Sequence, residues 1–376
     1  MTKLSQPGLA AKKYIEELIL PSDPLRPLWN RENLIFRKIP KWNYIDNCMM
    51  TALLTIYETS GDERLLAYAV RFIGAYMDSR GGIPTLCPDD FNLDNINGGK
   101  NLLRLARLTG REIYLTAAEE LINGQLARQP RLACGNFWHK AIYPHQIWLD
   151  GTYMALPFMA EYGLLTCRPE LIEDVCSQLR NIRKLMRDPV TGLYCHGYDE
   201  TKSMNWADPD TGLSQEFWLR AMGWMSAALA DLAELVPEET LFGEMLTDLL
   251  SSLSAAALED GMLLQLPMHP EIEENYPETS GTLLFAYSAL KASRLGICGH
   301  ELREAGSRAL CTVTDKYITS DSQGIPVLGN ICLMAGLGPG RDGSAEYYLS
   351  EKIVENDAKG IAPFLMACNE LELIPE

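Results

Sequence analysis

Residues 139–161, HKAIYPHQIWLDGTYMALPFMAE, change character halfway along their length. The first half is a loop of polar and aromatic side chains, with two histidines and a lysine, and it leads to Asp150. After Asp150 the apolar residues follow at helical spacing, so a helix is predicted to begin there. Apolar side chains flank the carboxyl group, among them Trp148, Leu149 and Met154. This pattern predicts a proton donor at the start of a helix, with the rest of the chain as its scaffold.

Helical periodicity dominates the remaining sequence and gives about a dozen helical segments. The predicted segments are 9–20, 43–59, 62–78, 94–109, 112–128, 151–166, 169–187, 214–235, 238–258, 279–295, 299–317 and 343–372, the last one broken. Short runs of strand character lie between helices, at 83–86, 193–196 and 262–266. The sequence therefore predicts an all-α protein.

The connections between these helices alternate between short and long. The short ones are 59–64, 108–112, 165–170, 235–239 and 295–301, and the long ones are 79–93, 129–150, 188–213, 259–278 and 318–342. Short turns recur at about 50 to 70 residues, the spacing of a helical-hairpin repeat, and loops as long as the others are usually functional. We therefore predict six helical hairpins closed into an (α/α)6 barrel, in preference to an open solenoid. Residues 1–376 form one domain in this prediction, and its inner helices begin at the long-loop end, here called the mouth.

Composition narrows the class of protein. The chain has 376 residues and a formal net charge of −17, which argues against binding to nucleic acid or to an anionic membrane. No apolar run approaches the ~20 residues that span a bilayer, and the N-terminus is typical of an amphipathic helix. The ten cysteines are scattered without a CxxC pair, which favours free thiols in the cytoplasm. An acidic ligand would need local cations.

Aromatic side chains are concentrated at the predicted mouth. All seven tryptophans lie in long connections or in the first turns that follow them: Trp29, Trp42, Trp138, Trp148, Trp206, Trp218 and Trp224. Flat faces with polar edges collected at one end of a barrel suggest a platform for sugar rings. A structural role in capping the core is the alternative, and it is most plausible for Trp29 and Trp42.

Asp150 has two competing interpretations. An Asp before Gly-Thr-Tyr at a helix start is a good N-cap, whereas burial beside apolar groups would raise its pKa and suit a general acid. Asp94, in FNLDNIN, occupies the equivalent position before an earlier inner helix, with the same capping alternative. Two carboxyls facing each other across the mouth would share a proton, which raises one pKa further.

Basic and imidazole side chains also lie at the mouth. His139 and His145 could bind zinc together with Cys134, although no fourth ligand has a suitable spacing. His196 follows a strand-like run, where a hydrogen bond to a ligand is expected. Arg220 lies four residues before Trp224, so it could hold a carboxylate or stack on a ring, or instead pair with Glu216.

Two further motifs lie in the C-terminal third. GLGPGRDGSAEYY, residues 336–348, lacks the spacing of a nucleotide-binding loop and is better interpreted as a turn that carries Arg341 toward the mouth. ETSGT, residues 278–282, opens an inner helix with small hydroxyl side chains, which capping alone would explain.

Several of these motifs together resemble the unsaturated rhamnogalacturonyl hydrolases of glycoside hydrolase family 105, and more distantly the unsaturated glucuronyl hydrolases of family 88. The matching stretches run in family order along nearly the whole chain: WNY 42–44, NLD 92–94, HK 139–140, WLDGTYM 148–154, CHGYD 195–199, WLRAMGW 218–224, ETSGT 278–282 and RDGSAEYY 341–348. Asn47 stands where the first motif would be expected to carry glycine, a position that we interpret as structural.

The resemblance implies an (α/α)6 barrel that removes a terminal uronic acid with a C4=C5 double bond, without a metal or organic cofactor. Carried over, Asp150 would be the general acid and base, and Asp94 would tune its pKa or place the water. The implied substrate-binding residues are Trp42, Tyr44, His139, Lys140, Trp148, Met154, His196, Trp218, Arg220, Trp224 and Arg341. The only expected partner is a small acidic oligosaccharide, bound by a monomer or homodimer.

Three alternatives remain at this point. The same chemistry could act on unsaturated glucuronyl oligosaccharides. A sugar epimerase or isomerase could use His139 and His196 as a proton-exchange pair. A carbohydrate-binding barrel could have kept only the aromatic side chains.

Overall fold

A computed structural model describes residues 4–374 and consists mainly of helices. The α-helices are α1 (Gln6–Tyr14), α2 (Arg31–Phe36), α3 (Tyr44–Ser60), α4 (Glu63–Gly74), α5 (Gly99–Thr109), α6 (Glu112–Glu119), α7 (Asp150–Leu165), α8 (Pro169–Met186), α9 (Leu219–Leu235), α10 (Thr240–Ala255), α11 (Thr279–Arg294), α12 (His300–Lys316), α13 (Ala345–Ser350) and α14 (Ala358–Leu373). None of the helices described is long and apolar enough to cross a bilayer.

Six of these helices form a closed inner ring. α3, α5, α7, α9 and α11 each contact the next in this order, α11 contacts α14, and α14 returns to contact α3. The outer partners α4, α6, α8, α10 and α12 each follow their inner helix in the chain and pack against it. The sixth outer helix is α1, which packs against α14 and α12, so that the two ends of the chain close the ring. The predicted (α/α)6 barrel is confirmed.

Burial explains which helices lie inside. α7 and α9 are apolar around nearly their whole circumference, and most of their side chains are buried. α4 and α8 have a buried apolar stripe opposite a charged face. A helix that is hydrophobic all round is stable only in an interior, whereas an amphipathic helix covers the outside. This contrast separates α7 and α9 from α4 and α8, although the inner helix α5 is itself amphipathic and the outer helix α10 is rich in apolar residues.

Several predicted boundaries were wrong in informative ways. The helix expected from 214 begins at Leu219, because Ser214 is paired with Ala207 in an isolated bridge and Trp218, in an extended conformation, is the N-cap. The segment 112–128 changes after α6 to a π-helical turn, Glu120–Gln125, and then to a 3₁₀ turn. α2 was not predicted; it is short and has no buried residue, so its apolar periodicity is weak.

The strand predictions were also wrong in position. Residues 83–86 form no strand, and residues 193–196 and 262–266 each contribute only an isolated bridge, at Tyr194 and Leu264. The strands are short antiparallel pairs in the long loops: β1 (Gln146–Trp148) with β2 (Gly197–Asp199), β3 (Ile318–Ser320) with β4 (Pro326–Leu328), and β5 (Ile331–Cys332) with β6 (Ile353–Val354). The β1–β2 and β5–β6 pairs join segments that are separated in sequence, a pairing that local periodicity does not encode, whereas β3 and β4 form a hairpin within one loop.

Candidate active site

The β1–β2 pair brings Asp150 to His196. Trp148 pairs with Gly197 in this ladder, and immediately beyond it the Leu149 N–H donates to the His196 carbonyl at 3.0 Å. This pairing brings the side chains of His196 and Asp150 together, with 3.1 Å between His196 Nε2 and Asp150 Oδ2. The N-cap of α7 is Leu149, and the Asp150 side chain makes no capping bond. The capping interpretation of Asp150 is therefore wrong, and its carboxyl instead contacts His196 at the mouth.

The expected rise in the Asp150 pKa is also wrong for the unliganded site. Burial alone raises the pKa of this carboxyl, but the hydrogen bond with His196, together with the electrostatic influence of the His196 and His139 rings, outweighs burial and lowers it. The side chain remains 15 % exposed, so the carboxyl can still meet a ligand. Asp150 is consequently ionised at neutral pH when the mouth is empty.

Asp94 lies at the mouth with a cation of its own. The Leu93 N–H donates to the His139 carbonyl at 3.1 Å, which joins the loop 129–150 to the segment before α5. Lys140 Nζ then lies 2.5 Å from Asp94 Oδ2, and His139 Nε2 lies 3.7 Å from Asp94 Oδ1. The cap at this position is the Asn92 side chain, which accepts from the Asp94 N–H at 3.0 Å. The predicted proton sharing with Asp150 is replaced by a Lys140–Asp94 ion pair.

His139 is neutral in this environment. Its side chain is 2 % exposed, and burial together with the neighbouring Lys140 charge lowers its pKa to about 4. Its ring stacks on Trp148 with 4.7 Å between centroids, and its Nδ1 has no hydrogen-bond partner in the described structure. His139 therefore contributes a neutral ring to the mouth.

The tryptophans do not form an open platform. Six of the seven tryptophans are buried, and among these six Trp148 is the most exposed, at 5 %. Trp148 stacks against His139 and Tyr143, each at 4.7 Å between ring centroids. Trp224 stacks on Tyr153 at 4.8 Å inside the barrel. The platform interpretation is corrected, because these rings are already packed against other side chains and present little free face to a sugar.

Trp29 and Trp42 have the structural role that the sequence left open. Trp29 Nε1 donates to Asp46 at 3.1 Å, and its ring packs against Tyr68 in the core. Trp42 Nε1 donates to the Asn95 carbonyl at 2.8 Å, and its ring packs against the segment before α5 so closely that a Cβ at Gly98 would lie 2.1 Å from it. Trp42 is therefore a buried side chain that packs in the core beside the mouth.

Arg220 is held in a buried network at the start of α9. Its Nη1 donates to Ser280 Oγ at 3.1 Å and to the Cys332 carbonyl, and it lies 3.8 Å from Glu278 Oε1. Its guanidinium also lies over the Trp218 ring at 4.7 Å. The alternative pairing with Glu216 is wrong, since that carboxylate bonds His269 at 2.7 Å.

The ETSGT motif supports this network. Glu278 caps α11 by accepting from the backbone N–H groups of Ser280 and Gly281, and it also accepts from Ser280 Oγ at 2.6 Å. The cap is therefore the Glu278 carboxylate. Capping alone does not explain the hydroxyl residues, because Ser280 also accepts from Arg220 and Thr279 Oγ1 donates to the Gly329 carbonyl at 2.7 Å.

Arg341 is the mouth cation without an acidic partner. A Cβ at Gly336 would lie 2.9 Å from Arg341 Nη1 and 3.3 Å from Trp148 Cη2, so the guanidinium lies beside that indole. Within residues 4–374 it forms no ion pair; its side chain contacts Met334 Sδ at 3.7 Å. The glycine-rich turn therefore does bring Arg341 to the mouth.

The remaining predicted residues occupy different depths. Tyr44 is half-buried at the start of α3, where burial and the charges of Glu32 and Asp94 raise its phenol pKa. Met154 is buried in the first turns of α7. Asn47 is buried between α3 and α5, where its Oδ1 accepts from Asn101 at 3.2 Å, which agrees with its structural interpretation.

No zinc site assembles from the residues proposed for one. His145 pairs with Glu200 at 3.6 Å and packs against the Trp138 ring, while Cys134 lies near Asn136. Among residues 4–374, no group of three or more His, Cys, Asp or Glu side chains is arranged to hold a metal ion.

Sequence reasoning missed Tyr348. Its Oη lies 2.6 Å from His196 Nδ1, on the opposite side of the imidazole from Asp150. The residue lies in the RDGSAEYY motif, but 152 residues separate it from His196. Only the closure of the barrel brings the two side chains together, so spacing along the chain gives no signal for the pair.

A closed ring of helical hairpins with carboxylates and imidazoles at its long-loop end is the architecture of a class of glycoside hydrolases, and comparison with known proteins makes the assignment. A family model described as Glycosyl Hydrolase Family 88 matches residues 28–374. The solved structure of a family 105 glycoside hydrolase from C. acetobutylicum is similar, with 34 % identity, a TM-score of 0.86, and coverage of 92 % of this chain and 98 % of that one. The chain belongs to the group of glycoside hydrolases formed by families 88 and 105.

Two curated proteins are also similar in sequence. Protein Atu3128 of Agrobacterium fabrum is 39 % identical over 232 residues, which cover 59 % of this chain and 99 % of the relative. Unsaturated rhamnogalacturonyl hydrolase YesR of Bacillus subtilis is 26 % identical over 263 residues, or 68 % of this chain and 72 % of the relative.

Proposed function

We propose that this glycoside hydrolase removes a terminal 4,5-unsaturated uronic acid, with unsaturated galacturonyl-rhamnose as the preferred substrate. The similarity to the unsaturated rhamnogalacturonyl hydrolase YesR supports this substrate class. The observation that carries the proposal is the unequal pairing of the two mouth carboxyls. Lys140 compensates Asp94 at 2.5 Å, whereas Asp150 faces only imidazole, so a single carboxyl is available to move a proton.

One proton donor is sufficient for hydration of a vinyl ether. Asp150 would give its proton to C4 of the double bond, and water would add at C5 while returning a proton to the carboxylate. The resulting hemiketal opens and expels the remaining sugar as the leaving group. Separation rules for pairs of carboxylates in retaining and inverting glycosidases do not apply to this reaction.

Binding of the substrate would itself cause Asp150 to become protonated. Asp150 is ionised at neutral pH because the hydrogen bond with His196 lowers its pKa. A bound uronate places a second negative charge nearby and excludes water, and both effects raise the pKa of a carboxyl. Binding of the acidic sugar is therefore expected to bring one proton onto Asp150, at the moment when the alkene arrives.

Arg341 is our choice for the cation that holds the uronate carboxylate. Lys140 and Arg220 already have acidic partners, whereas Arg341 lies beside Trp148 without one. A planar guanidinium suits a carboxylate because it can form two parallel hydrogen bonds. His139, Lys140, His196 and Arg220 remain proposed contacts to the sugar hydroxyls. Trp148 remains a proposed contact to the sugar ring, whereas Trp218 and Trp224 are each 1 % exposed and are not proposed as contacts.

A panel of lyase-generated disaccharides tests the substrate. Turnover is followed as loss of the ultraviolet absorbance of the double bond. The proposal predicts the highest kcat/KM on unsaturated galacturonyl-rhamnose, and a preference for unsaturated glucuronyl disaccharides would replace it with the nearest alternative. Deuterium from solvent entering an intact sugar would instead indicate an epimerase.

The cellular compartment and the oligomeric state of the enzyme are also part of the proposal. All ten cysteines are free thiols, which supports action in the reducing cytoplasm. We propose a monomer or homodimer that acts alone on a small acidic oligosaccharide, and light scattering in solution would distinguish the two states.

A further inference from the structure

Tyr348 is buried directly behind His196. Its side chain is fully buried, and within residues 4–374 its hydroxyl has one hydrogen-bond partner, His196 Nδ1 at 2.6 Å. His196 is fully buried as well, and its second ring nitrogen faces Asp150 Oδ2 at 3.1 Å. The three side chains thus form one line of hydrogen bonds that begins in the protein interior and ends at the mouth.

The surrounding structure fixes the position of the Tyr348 hydroxyl. The Ser344 side chain caps α13, the short helix that carries Tyr348. The Tyr348 carbonyl accepts from Gln265 Nε2 at 3.3 Å, and its ring stacks on Trp218 at 6.0 Å. Gln265 also accepts from Trp218 Nε1 at 3.2 Å. The phenol has contacts that hold it in place, so it is a rigid support for the imidazole.

Only one placement of the protons satisfies the hydrogen-bond donors and acceptors of Tyr348, His196 and Asp150 together. A phenol in this burial keeps its proton, because burial raises the pKa of Tyr348. A buried O–H must find an acceptor, and the only one in reach is His196 Nδ1. In the neutral form of the His196 imidazole, the single ring proton then lies on Nε2 and points at the Asp150 carboxylate. The opposite tautomer would leave the phenol proton without an acceptor.

We propose that Tyr348 is a positioning residue that holds His196 in the Nε2–H tautomer and thereby keeps the acidic proton of Asp150 available to the substrate. This inference rests on the proposed function. When Nε2–H donates to Oδ2, a proton on Asp150 must reside on the other oxygen, Oδ1. In the Nδ1–H tautomer the bare Nε2 would accept the Asp150 proton in an O–H···N bond and withhold it from the alkene.

Nitrogen NMR of the unliganded enzyme tests the tautomer directly. The chain has five histidines, and the His196→Gln variant identifies the signal of interest in protein labelled with ¹⁵N-histidine. We expect the wild type to show the Nε2–H form at neutral pH, and Tyr348→Phe to show a mixture of tautomers. A wild type with Nδ1–H, or a Tyr348→Phe spectrum identical to that of the wild type, would overturn the proposal. The wild-type spectrum decides the tautomer even if Tyr348→Phe fails to fold.

Kinetics separates positioning from mere packing. In Tyr348→Phe we expect kcat to fall about tenfold to a hundredfold with KM within about threefold of the wild type, as is usual for a support behind a functional imidazole. Tyr347→Phe is the matched control; the Tyr347 hydroxyl bonds Glu351 at 2.6 Å, away from His196, so this variant should keep the His196 tautomer. An unchanged kcat in Tyr348→Phe would contradict the role.

The NMR experiment uses no substrate, so the two proposals can fail separately. Absence of turnover on unsaturated disaccharides would remove the proposed function while leaving the tautomer result intact. Turnover combined with the wrong tautomer would remove only the positioning role.

Discussion

At the scale of single residues, the hydrogen-bond or ion-pair partner of each carboxyl decides whether that carboxyl can transfer a proton. Asp94 and Asp150 both precede or begin inner helices and are exposed to a similar small degree, 13 % and 15 %. Lys140 neutralises the first, whereas the second is bonded to an imidazole. Because an imidazole can be neutral, Asp150 can gain and lose a proton at modest cost, and that difference underlies its proposed role.

Asp150→Asn should leave the fold intact and lower turnover by at least about a hundredfold, since the amide cannot donate a proton to the alkene. Turnover is measured by ultraviolet absorbance and folding by circular dichroism. Asp89→Asn is the matched control: this carboxyl pairs with Arg128 at the rim and is 74 % exposed, and its loss should leave turnover unchanged. Full activity in Asp150→Asn would remove the assignment.

His139 should make the fold acid-sensitive. Its pKa is lowered from 6.5 to about 4, so the folded state disfavours the charged ring that the unfolded chain accepts. The free energy of unfolding therefore falls as pH decreases from 6.5 toward 4, by about 2 kcal/mol at pH 5 from this residue. Urea unfolding at pH 7.5 and 5 should show a smaller decrease for His139→Gln than for the wild type. Equal decreases would contradict this account.

The residue scale is where sequence reasoning was weakest. Asp150, His196 and Arg341 were assigned to the mouth correctly, because motif and loop position suffice for that. The partners were not predictable: His196 is 46 residues from Asp150, and Lys140 is 46 residues from Asp94. Loop pairing selects these contacts, and it turned the expected rise in the Asp150 pKa into a decrease.

At the scale of helices and strands, periodicity predicted the interior well and the ends poorly. α8 and α11 lie within one or two residues of their predicted bounds, since long apolar patterns define them. The start of α9 was misplaced by five residues, because an extended segment before it carries helical composition. The β1–β2 pair was not predicted, although it aligns the two residues of the proposed proton path.

Close packing between inner helices gives a test at this scale. A Cβ at Gly281 of α11 would lie 2.4 Å from Leu219 Cγ at the start of α9. Gly281→Ala should therefore lower the free energy of unfolding by about 1 to 3 kcal/mol through overpacking. Gly74→Ala, at the end of α4 with open space around it, is the control and should be neutral or stabilising by up to about 1 kcal/mol. Equal effects in chemical denaturation would contradict the packing.

At the scale of the whole molecule, ring closure creates the site. The proposed proton path draws on α7, on the residue before β2 and on α13, and the mouth is complete only because α14 returns to α3. The alternation of loop lengths and the number of helices favoured this closure over an open solenoid, and the contacts between α14 and α3 confirm it. The extension of one domain over residues 1–376 stays a prediction, as do the substrate and the oligomeric state.

The most direct test compares an unsaturated galacturonyl-rhamnose disaccharide with its saturated counterpart under identical conditions. The account predicts release of rhamnose from the unsaturated sugar and no measurable release from the saturated one, since hydration requires the C4=C5 double bond. Release of rhamnose from both sugars at similar rates would show that the enzyme cleaves the glycosidic bond by displacement, and it would contradict the central claim.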